Sequence, residues 1–255
     1  MSHQRKLKRS NKPKQVFIVR PHKQEKFTCQ KTSLFIMKAQ LSGIAMSKHI
    51  PSKAPEYARN KAIYSFINDP ALRHCTHIFF IDDDSPPFTD DAIHRLYKHN
   101  KPFVAGVTPI FRTKEDIIDF NNPGKLKDVI DLHWSAIIKN EAGKLENIGI
   151  GELPKKPFKA VRTGGTGLLV RRDVLEKIEP PYQITTDNES HTDIKLSEDI
   201  YFSEKVRDAG FDLWVDPTVQ CSHFHTTDIL EIFMIAMQAK KAGYEEAKAD
   251  FKVVI

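Results

Sequence analysis

Residues 15–107 alternate short apolar runs with segments of helical pattern. The runs Val16–Arg20, which stops at Pro21, His77–Ile81 and Phe103–Val107 are rich in β-branched and aromatic side chains, as buried strands are. Thr28–Gln40 and Glu56–Asn68 have the pattern of helices. This βαβαβαβ alternation predicts an α/β domain with a mainly parallel sheet and helices on both of its faces.

The second half of the chain is less regular at first and then returns to α/β order. Residues 110–160 read as a long excursion with short strands, one of them around Trp134–Ile138. Thr89 or Asp90 is expected to cap a helix that ends at about Lys98. The remaining predicted elements are strands at Gly167–Arg171, Leu213–Val215 and Thr218–Cys221, and helices at Arg172–Ile178, Glu198–Ala209 and Asp228–Ala239.

Length and composition indicate a soluble protein that is one large α/β domain or a domain with an insertion. The 255 residues contain no apolar run of the roughly 18 residues that cross a bilayer, and the N-terminus lacks the apolar centre of a signal peptide, so we expect a cytoplasmic location. Cys29, Cys75 and Cys221 are far apart and have no ligand spacing, which favours reduced thiols over a zinc site.

Positive charge is concentrated at the N-terminus. Residues 1–14 contain six Lys and Arg and no acid, and they account for the whole net charge of +6. The sequence therefore predicts a basic, disordered tail over residues 1–14 and a neutral folded body over residues 15–255.

An acidic run, Asp82-Asp83-Asp84, follows the clearest predicted strand. Ligands of parallel sheets bind beyond the carboxyl ends of the strands. In extended backbone Asp82 and Asp84 would face the same way and could hold a divalent cation. The alternative is that the acids solvate a turn and cap the next helix, although residues 89–91 already supply that cap.

Three further motifs each have a purely structural alternative. Glu198 and Asp199 open a helix, where its dipole favours carboxylates. The segment Thr163–Leu169 contains three glycines without the GxGxxG spacing, so it is either a ligand-binding loop or a tight turn. His223 and His225 would share one face of a strand, where either could be a ligand or an ordinary surface residue.

The order of these motifs resembles that of the GT-A glycosyltransferases, in particular the small family 2-like enzymes of bacteria and their phages. The resemblance covers roughly residues 15–225. It is carried by the strand ending at Pro21, Ala58-Arg59-Asn60, Phe79–Asp84, Gly165–Arg172, Glu198-Asp199 and Asp216–His223.

The resemblance implies a single GT-A, Rossmann-like domain that uses a nucleotide-sugar donor, most often a UDP-sugar. Asp82, Asp84 and His223 would hold Mn²⁺ or Mg²⁺ against the donor diphosphate, and Asp199, beside Glu198, would be the general base of an inverting enzyme. The donor would be bound by Pro21, Arg59, Asn60, Asp82 and Asp83. The sugar and acceptor would lie against Gly165, Thr166, Gly167 and Trp134.

Two other functions remain open at this point. Phe79–Ser85 also resembles the start of haloacid-dehalogenase-type phosphatases, although that motif normally lies on the first strand. The basic tail would suit a non-catalytic nucleic-acid-binding module, which leaves the acidic clusters unexplained. Because some phage enzymes of the resembling type modify DNA, the acceptor could be hydroxymethylated pyrimidines of phage DNA.

Overall fold

The computed structural model describes residues 15–22, 29–51, 54–113, 130–186 and 194–224. One compact unit comprises residues 1–109 and 134–224, and a second comprises residues 110–133 and 225–255. The predicted tail, His225 and the helix predicted at Asp228–Ala239 lie outside the described residues. No helix within the described part is long and apolar enough to cross a membrane.

The first half of the chain has the predicted alternation of strands and helices. Its elements are β1 (Val16–His22), α1 (Gln30–Leu41), β2 (Ala45–Pro51), α2 (Pro55–Asn68), β3 (His77–Phe80), α3 (Ala92–Lys98) and β4 (Phe103–Val107). The structure supplies the position of β2, which the alternation required but no apolar run marked.

The second half is richer in strands. Its elements are β5 (Pro109–Thr113), β6 (Ile130–Lys139), β7 (Leu145–Gly149), β8 (Phe158–Ala160), β9 (Arg162–Thr163), β10 (Leu168–Arg171), α4 (Arg172–Leu175), β11 (Thr185–Thr186), β12 (Ile194–Leu196), α5 (Glu198–Asp208) and β13 (Leu213–Gln220).

The main sheet has seven strands in the order β2-β1-β3-β10-β4-β13-β8. β1 is parallel to β2 and β3, and β13 is parallel to β4. β10 runs antiparallel between β3 and β4, and β8 is antiparallel to β13. Five of the seven strands therefore share one direction. A second sheet contains β5, β6 and β7, with β9 beside β6, and β11 pairs with β12.

Helices cover both faces of the main sheet. On one face Phe17 and Val19 pack with buried residues of α2, α4 and α5. On the other face Val16 and Ile18 pack with buried residues of α1 and α3. Successive residues of a strand point to opposite faces, so the two apolar layers follow directly from the continuous apolar sequence of β1.

Several predicted boundaries need correction. β1 continues through Pro21 to His22. Among the described strands, β3 pairs with Val16–Val19 and β2 alone pairs with the end of β1, so a proline without an N–H group is tolerated there. α3 begins at Ala92 with Asp91 at its N-cap, not after Thr89 or Asp90. β6 is twice as long as the predicted strand, and α4 stops at Leu175.

The two strands predicted at Leu213–Val215 and Thr218–Cys221 are one strand, β13. The register against β4 shifts between Val215 and Gln220, which accommodates Asp216-Pro217 within the strand. The Asp216 carboxylate accepts hydrogen bonds from the Thr218 amide and hydroxyl groups at 2.9 and 2.7 Å, which stabilises this irregularity.

Candidate functional site at the edge of the main sheet

The acidic run and the glycine-rich segment meet at one edge of the main sheet, the edge formed by the carboxyl ends of its parallel strands. Asp82 follows β3, and Thr166 precedes β10, which starts at the edge where its neighbours end because it is antiparallel to them. The Asp82 amide donates a hydrogen bond to Thr166 Oγ1 at 3.0 Å. These two predicted site residues, 84 positions apart in the sequence, are therefore in direct contact.

Arg59 joins the acidic run to the Glu198-Asp199 motif. From α2, its Nη2 lies 3.0 Å from Asp82 Oδ1, and its Nη1 donates to Glu198 Oε1 at 2.7 Å. Its side chain is only 4% exposed, whereas those of Asp82 and Glu198 are 31% and 19% exposed. Burial alone would lower the Arg59 pKa, but the charge of Asp82, followed by those of other neighbours including Glu198, raises it, so the guanidinium stays charged.

Gly165 lies directly against this guanidinium. A Cβ atom at position 165 would lie 2.7 Å from Arg59 Nη2 and 2.8 Å from Cζ. Gly167 has φ +65°, and a Cβ there would lie 2.7 Å from Cys221 Sγ. Glycine is thus needed at 165 for close approach and at 167 for backbone conformation.

The three adjacent acids have different surroundings. Asp83 Oδ1 lies 3.2 Å from Arg20 Nε, and its carbonyl accepts hydrogen bonds from Thr32 and Cys29 at the start of α1. Asp84 Oδ1 accepts from the Ser85 hydroxyl at 2.9 Å. β3 ends at Phe80 and residues 83 and 84 lie in a turn, so the assumption of extended backbone behind the predicted convergence of Asp82 and Asp84 is wrong.

His223 lies in a segment that runs antiparallel to this turn. The Phe88 amide donates to the Gln220 carbonyl at 2.9 Å, that of Ser222 to Pro86 at 2.8 Å and that of Phe224 to Asp84 at 2.9 Å. The His223 Nδ1 is 3.2 Å from the Pro109 carbonyl. In the described part of the chain, no three His, Cys, Asp or Glu side chains form a group that could hold a metal ion.

Asp199 lies in the first turn of α5, next to Glu198. Its Oδ1 accepts hydrogen bonds from the Ser197 hydroxyl at 2.5 Å and from the Ile200 amide at 2.8 Å. Its Oδ2 has no hydrogen-bond partner among the described residues. One oxygen of Asp199 is therefore held in place by its own helix, and the other is available.

The remaining predicted site residues contact neighbouring elements. Pro21 pairs with Ile50 within β1 and β2. Trp134 packs against a buried cluster that includes Ala136 and Val215. The Asn60 amide binds both backbone groups of Tyr182, at 2.7 and 3.0 Å.

Two residues at the site have no counterpart in the sequence analysis. Arg20, the partner of Asp83, ends a predicted strand. Its positive charge at that strand end is a signal that could have placed it at the site. Tyr182, only 2% exposed, lies between the helices predicted at Arg172–Ile178 and Glu198–Ala209, in a stretch with no predicted element. The only sequence signal for Tyr182 is an aromatic side chain directly after Pro180-Pro181.

Comparison with known proteins relates the chain to others by fold. No protein-family model matches the sequence, and no curated protein matches it. The crystal structure of A197 from STIV is similar with a TM-score of 0.52 and 13% identity, over 83% of this chain and 86% of that one. The crystal structure of GalNAc-T7 with UDP, GalNAc and Mn²⁺ is similar with a TM-score of 0.50 and 10% identity, over 84% of this chain and 44% of that one.

At these identities the likeness shows the fold alone. Together with the sheet order it confirms the expected fold class, an α/β domain of the GT-A, Rossmann-like type with a mainly parallel sheet and helices on both faces.

Proposed function

We propose that this chain transfers a sugar from a nucleotide-sugar donor to an acceptor hydroxyl group, in a reaction that requires Mn²⁺ or Mg²⁺. The observation that carries the proposal is the junction of Asp82, Arg59 and Glu198 at the edge of the main sheet, beside Gly165 and Thr166. These groups come from four separate parts of the chain, and ligands of α/β sheets bind at this edge. The structure of similar fold that contains UDP, GalNAc and Mn²⁺ supports the same class of reaction.

The donor would bind along the ends of β1, β3 and α2, with Pro21, Arg59, Asn60, Asp82 and Asp83 forming the wall of its site. Arg59 is buried and already bound to two carboxylates, so its part is to hold Asp82 and Glu198 in place. A UDP-sugar is the donor that the family resemblance favours.

Asp84, Asp82 and His223 are the ligands proposed for the cation. The amide of Phe224, the residue after His223, donates to the Asp84 carbonyl. Asp84 is half-buried, and the only partner of its carboxylate among the described residues is Ser85, so the carboxylate can take a ligand. Divalent cations that act on phosphates use one or two carboxylates and complete their coordination with phosphate oxygens and water, so a three-residue group is not required. When bound, the cation would stabilise the charge of the departing nucleoside diphosphate.

Asp199 is the proposed general base of an inverting reaction, with Glu198 beside it. Its Oδ1 is held by Ser197 and Ile200, which leaves Oδ2 to accept the proton of the acceptor hydroxyl. Gly165, Thr166, Gly167 and Trp134 are the residues proposed to face the sugar and the acceptor. Hydroxymethylated pyrimidines of DNA are one acceptor class consistent with the basic tail.

The two alternatives explain less of the site. A haloacid-dehalogenase-type phosphatase would carry its acids on the first strand, whereas Asp82–Asp84 follow β3. A non-catalytic nucleic-acid-binding module gives no reason for a buried arginine between two carboxylates.

A donor panel separates the three functions. The protein is incubated with Mn²⁺ and a set of nucleotide sugars, and free nucleoside diphosphate is measured, with p-nitrophenyl phosphate as a phosphatase substrate in parallel. We expect diphosphate release with one donor and none in excess EDTA. Phosphatase activity without turnover of any donor would replace the proposal with the first alternative.

Asp84→Asn tests the metal-binding residue. We expect it to abolish nearly all turnover with an unchanged melting temperature, because a half-buried turn carboxylate contributes little to the core. Asp83→Asn is the matched control and should be milder, since Asp83 faces Arg20. Full activity of Asp84→Asn, or of the wild type in EDTA, would contradict the assignment.

A further inference from the structure

Tyr182 lies between α4 and β11, and two elements hold its ring while a third holds its backbone. The ring stacks on Phe202 of α5 with centroids 4.3 Å apart, and it meets Phe80 at the end of β3 edge-on at 5.8 Å. Asn60 of α2 binds its backbone on both sides. The orientation of Tyr182 is therefore determined by packing that phenylalanine would provide equally well.

The hydroxyl group of Tyr182 is not explained by that packing. It is buried and has no hydrogen-bond partner among the described residues. A buried polar group without a partner lowers the stability of a fold, so such groups are uncommon and call for a separate reason.

Phe202 places Tyr182 on the face of α5 that carries Asp199. Residues three apart on a helix share a face, and helical side chains lean towards the N-terminus. A ring stacked on Phe202 therefore lies beside the turn that presents Asp199. Tyr182 has a donor without an acceptor there, and Asp199 Oδ2 is an acceptor without a donor among the described residues.

The charges around the hydroxyl keep it protonated. Burial raises the pKa of Tyr182, the guanidinium of Arg59 lowers it, and the carboxylates of Asp199, Asp82 and Glu198 raise it again. The net change is upward, so the group is a hydrogen-bond donor at neutral pH. Among the three carboxylates, Asp199 has the largest effect.

We propose that Tyr182 is a positioning residue for the proposed sugar transfer: in the substrate-bound protein its hydroxyl group donates a hydrogen bond to Asp199 and so orients this carboxylate towards the acceptor hydroxyl. The inference rests on the proposed function. This role explains why the protein keeps a buried hydroxyl group that lowers its stability, because the group forms its hydrogen bond only when substrate is bound.

Tyr182→Phe tests the proposal, with Tyr201→Phe as the matched control. Tyr201 is on α5, the helix of Asp199 and Phe202, and is half-buried, with Lys205 beside its ring. For Tyr182→Phe we expect kcat to fall about tenfold, a part of the usual effect of a general base, with KM for donor and acceptor within about twofold of wild type. The acidic limb of the kcat profile should move to higher pH, because a hydrogen bond to a carboxylate favours its ionised form.

The melting temperature distinguishes a functional hydroxyl from a structural one. Without substrate, Tyr182→Phe should melt at the same temperature as the wild type or above it, since the variant lacks the buried unpaired group. Unchanged kcat and pH profile would overturn the proposal, as would a fall in kcat that accompanies a lower melting temperature. Failure of the wild type to transfer sugar from any donor would instead refute the proposed function.

Discussion

At the scale of single residues, Gly165 determines whether Arg59 can hold both of its carboxylates. A Cβ atom would lie 2.7 Å from Nη2, and the guanidinium can make room only by leaving Asp82 or Glu198. We expect Gly165→Ala to lower the free energy of unfolding by about 1–3 kcal/mol, the usual effect of overpacking. Turnover should fall more than tenfold, roughly the effect of misplacing site residues by about 1 Å.

Urea denaturation and donor turnover measure these two effects. Gly151→Ala is the control, because nothing lies within 4 Å of a Cβ there. Equal turnover and equal free energies of unfolding for Gly165→Ala and Gly151→Ala would show that the contact between Gly165 and Arg59 does not affect function.

The sequence identified the acids of the site more readily than their partners. Asp82 and Glu198 stand out by residue type and by their positions at a strand end and a helix start. The link between them through Arg59 spans 139 residues to Glu198. A contact of that length leaves no trace in a single sequence, and neither did the packing of Tyr182 on Phe202.

At the scale of elements, the start of β3 makes stability depend on pH through His77. Burial, and then the charge of Arg171, lower the pKa of His77 from 6.5 to about 4, with a smaller opposite effect of Asp173. In the unfolded chain His77 binds a proton below about pH 6.5. The unfolded state therefore binds more protons between pH 6.5 and 4, and stability falls as the pH drops through this window.

We expect this histidine to lower the free energy of unfolding by at most about 3 kcal/mol between pH 6.5 and 4. His77→Gln should flatten the dependence in that window, as measured by urea denaturation at a series of pH values. His74→Gln, which changes an exposed histidine nearby, is the control. A slope unchanged in His77→Gln would show that other groups cause the acid sensitivity.

Elements with a continuous apolar run or a clear helical pattern were predicted closely, and strands with mixed sequences were not. β4 has its predicted bounds, and α2 differs by one residue at its start. β2 went unplaced because its sequence includes Lys48 and His49, which are compatible with an edge strand but not with an apolar run. β13 was divided in two because Pro217 ordinarily ends a strand.

At the scale of the whole molecule, the separation of charge between the tail and the body suggests how a nucleic-acid acceptor would be held. Residues 1–14 lie outside the described structure, but their six basic side chains have no acid among them. If five or six of these charges bind DNA phosphates, log affinity should fall with log salt at a slope of roughly −5. Deletion of residues 1–14 should flatten that slope and leave donor hydrolysis unchanged.

The acceptor itself is identified by transfer from a donor panel to hydroxymethyl-containing and unmodified DNA, followed by mass spectrometry of the nucleosides. We expect a sugar mass only on the modified base. Transfer to a saccharide or a peptide and to no DNA would exclude a DNA acceptor, whatever the slope of binding.

The antiparallel strand β10 has a consequence for synthesis on the ribosome. β3 and β4 are consecutive strands in the chain, yet the sheet order places Leu168–Arg171 between them. While the ribosome is still translating the codons before 168, the nascent chain contains five of the seven strands of the main sheet, and the place of β10 between β3 and β4 is still open. The core on both faces can close only when β10 enters that place. The same late insertion brings Thr166 to Asp82, so this contact of the site cannot form before β10 has been synthesised and has entered the sheet.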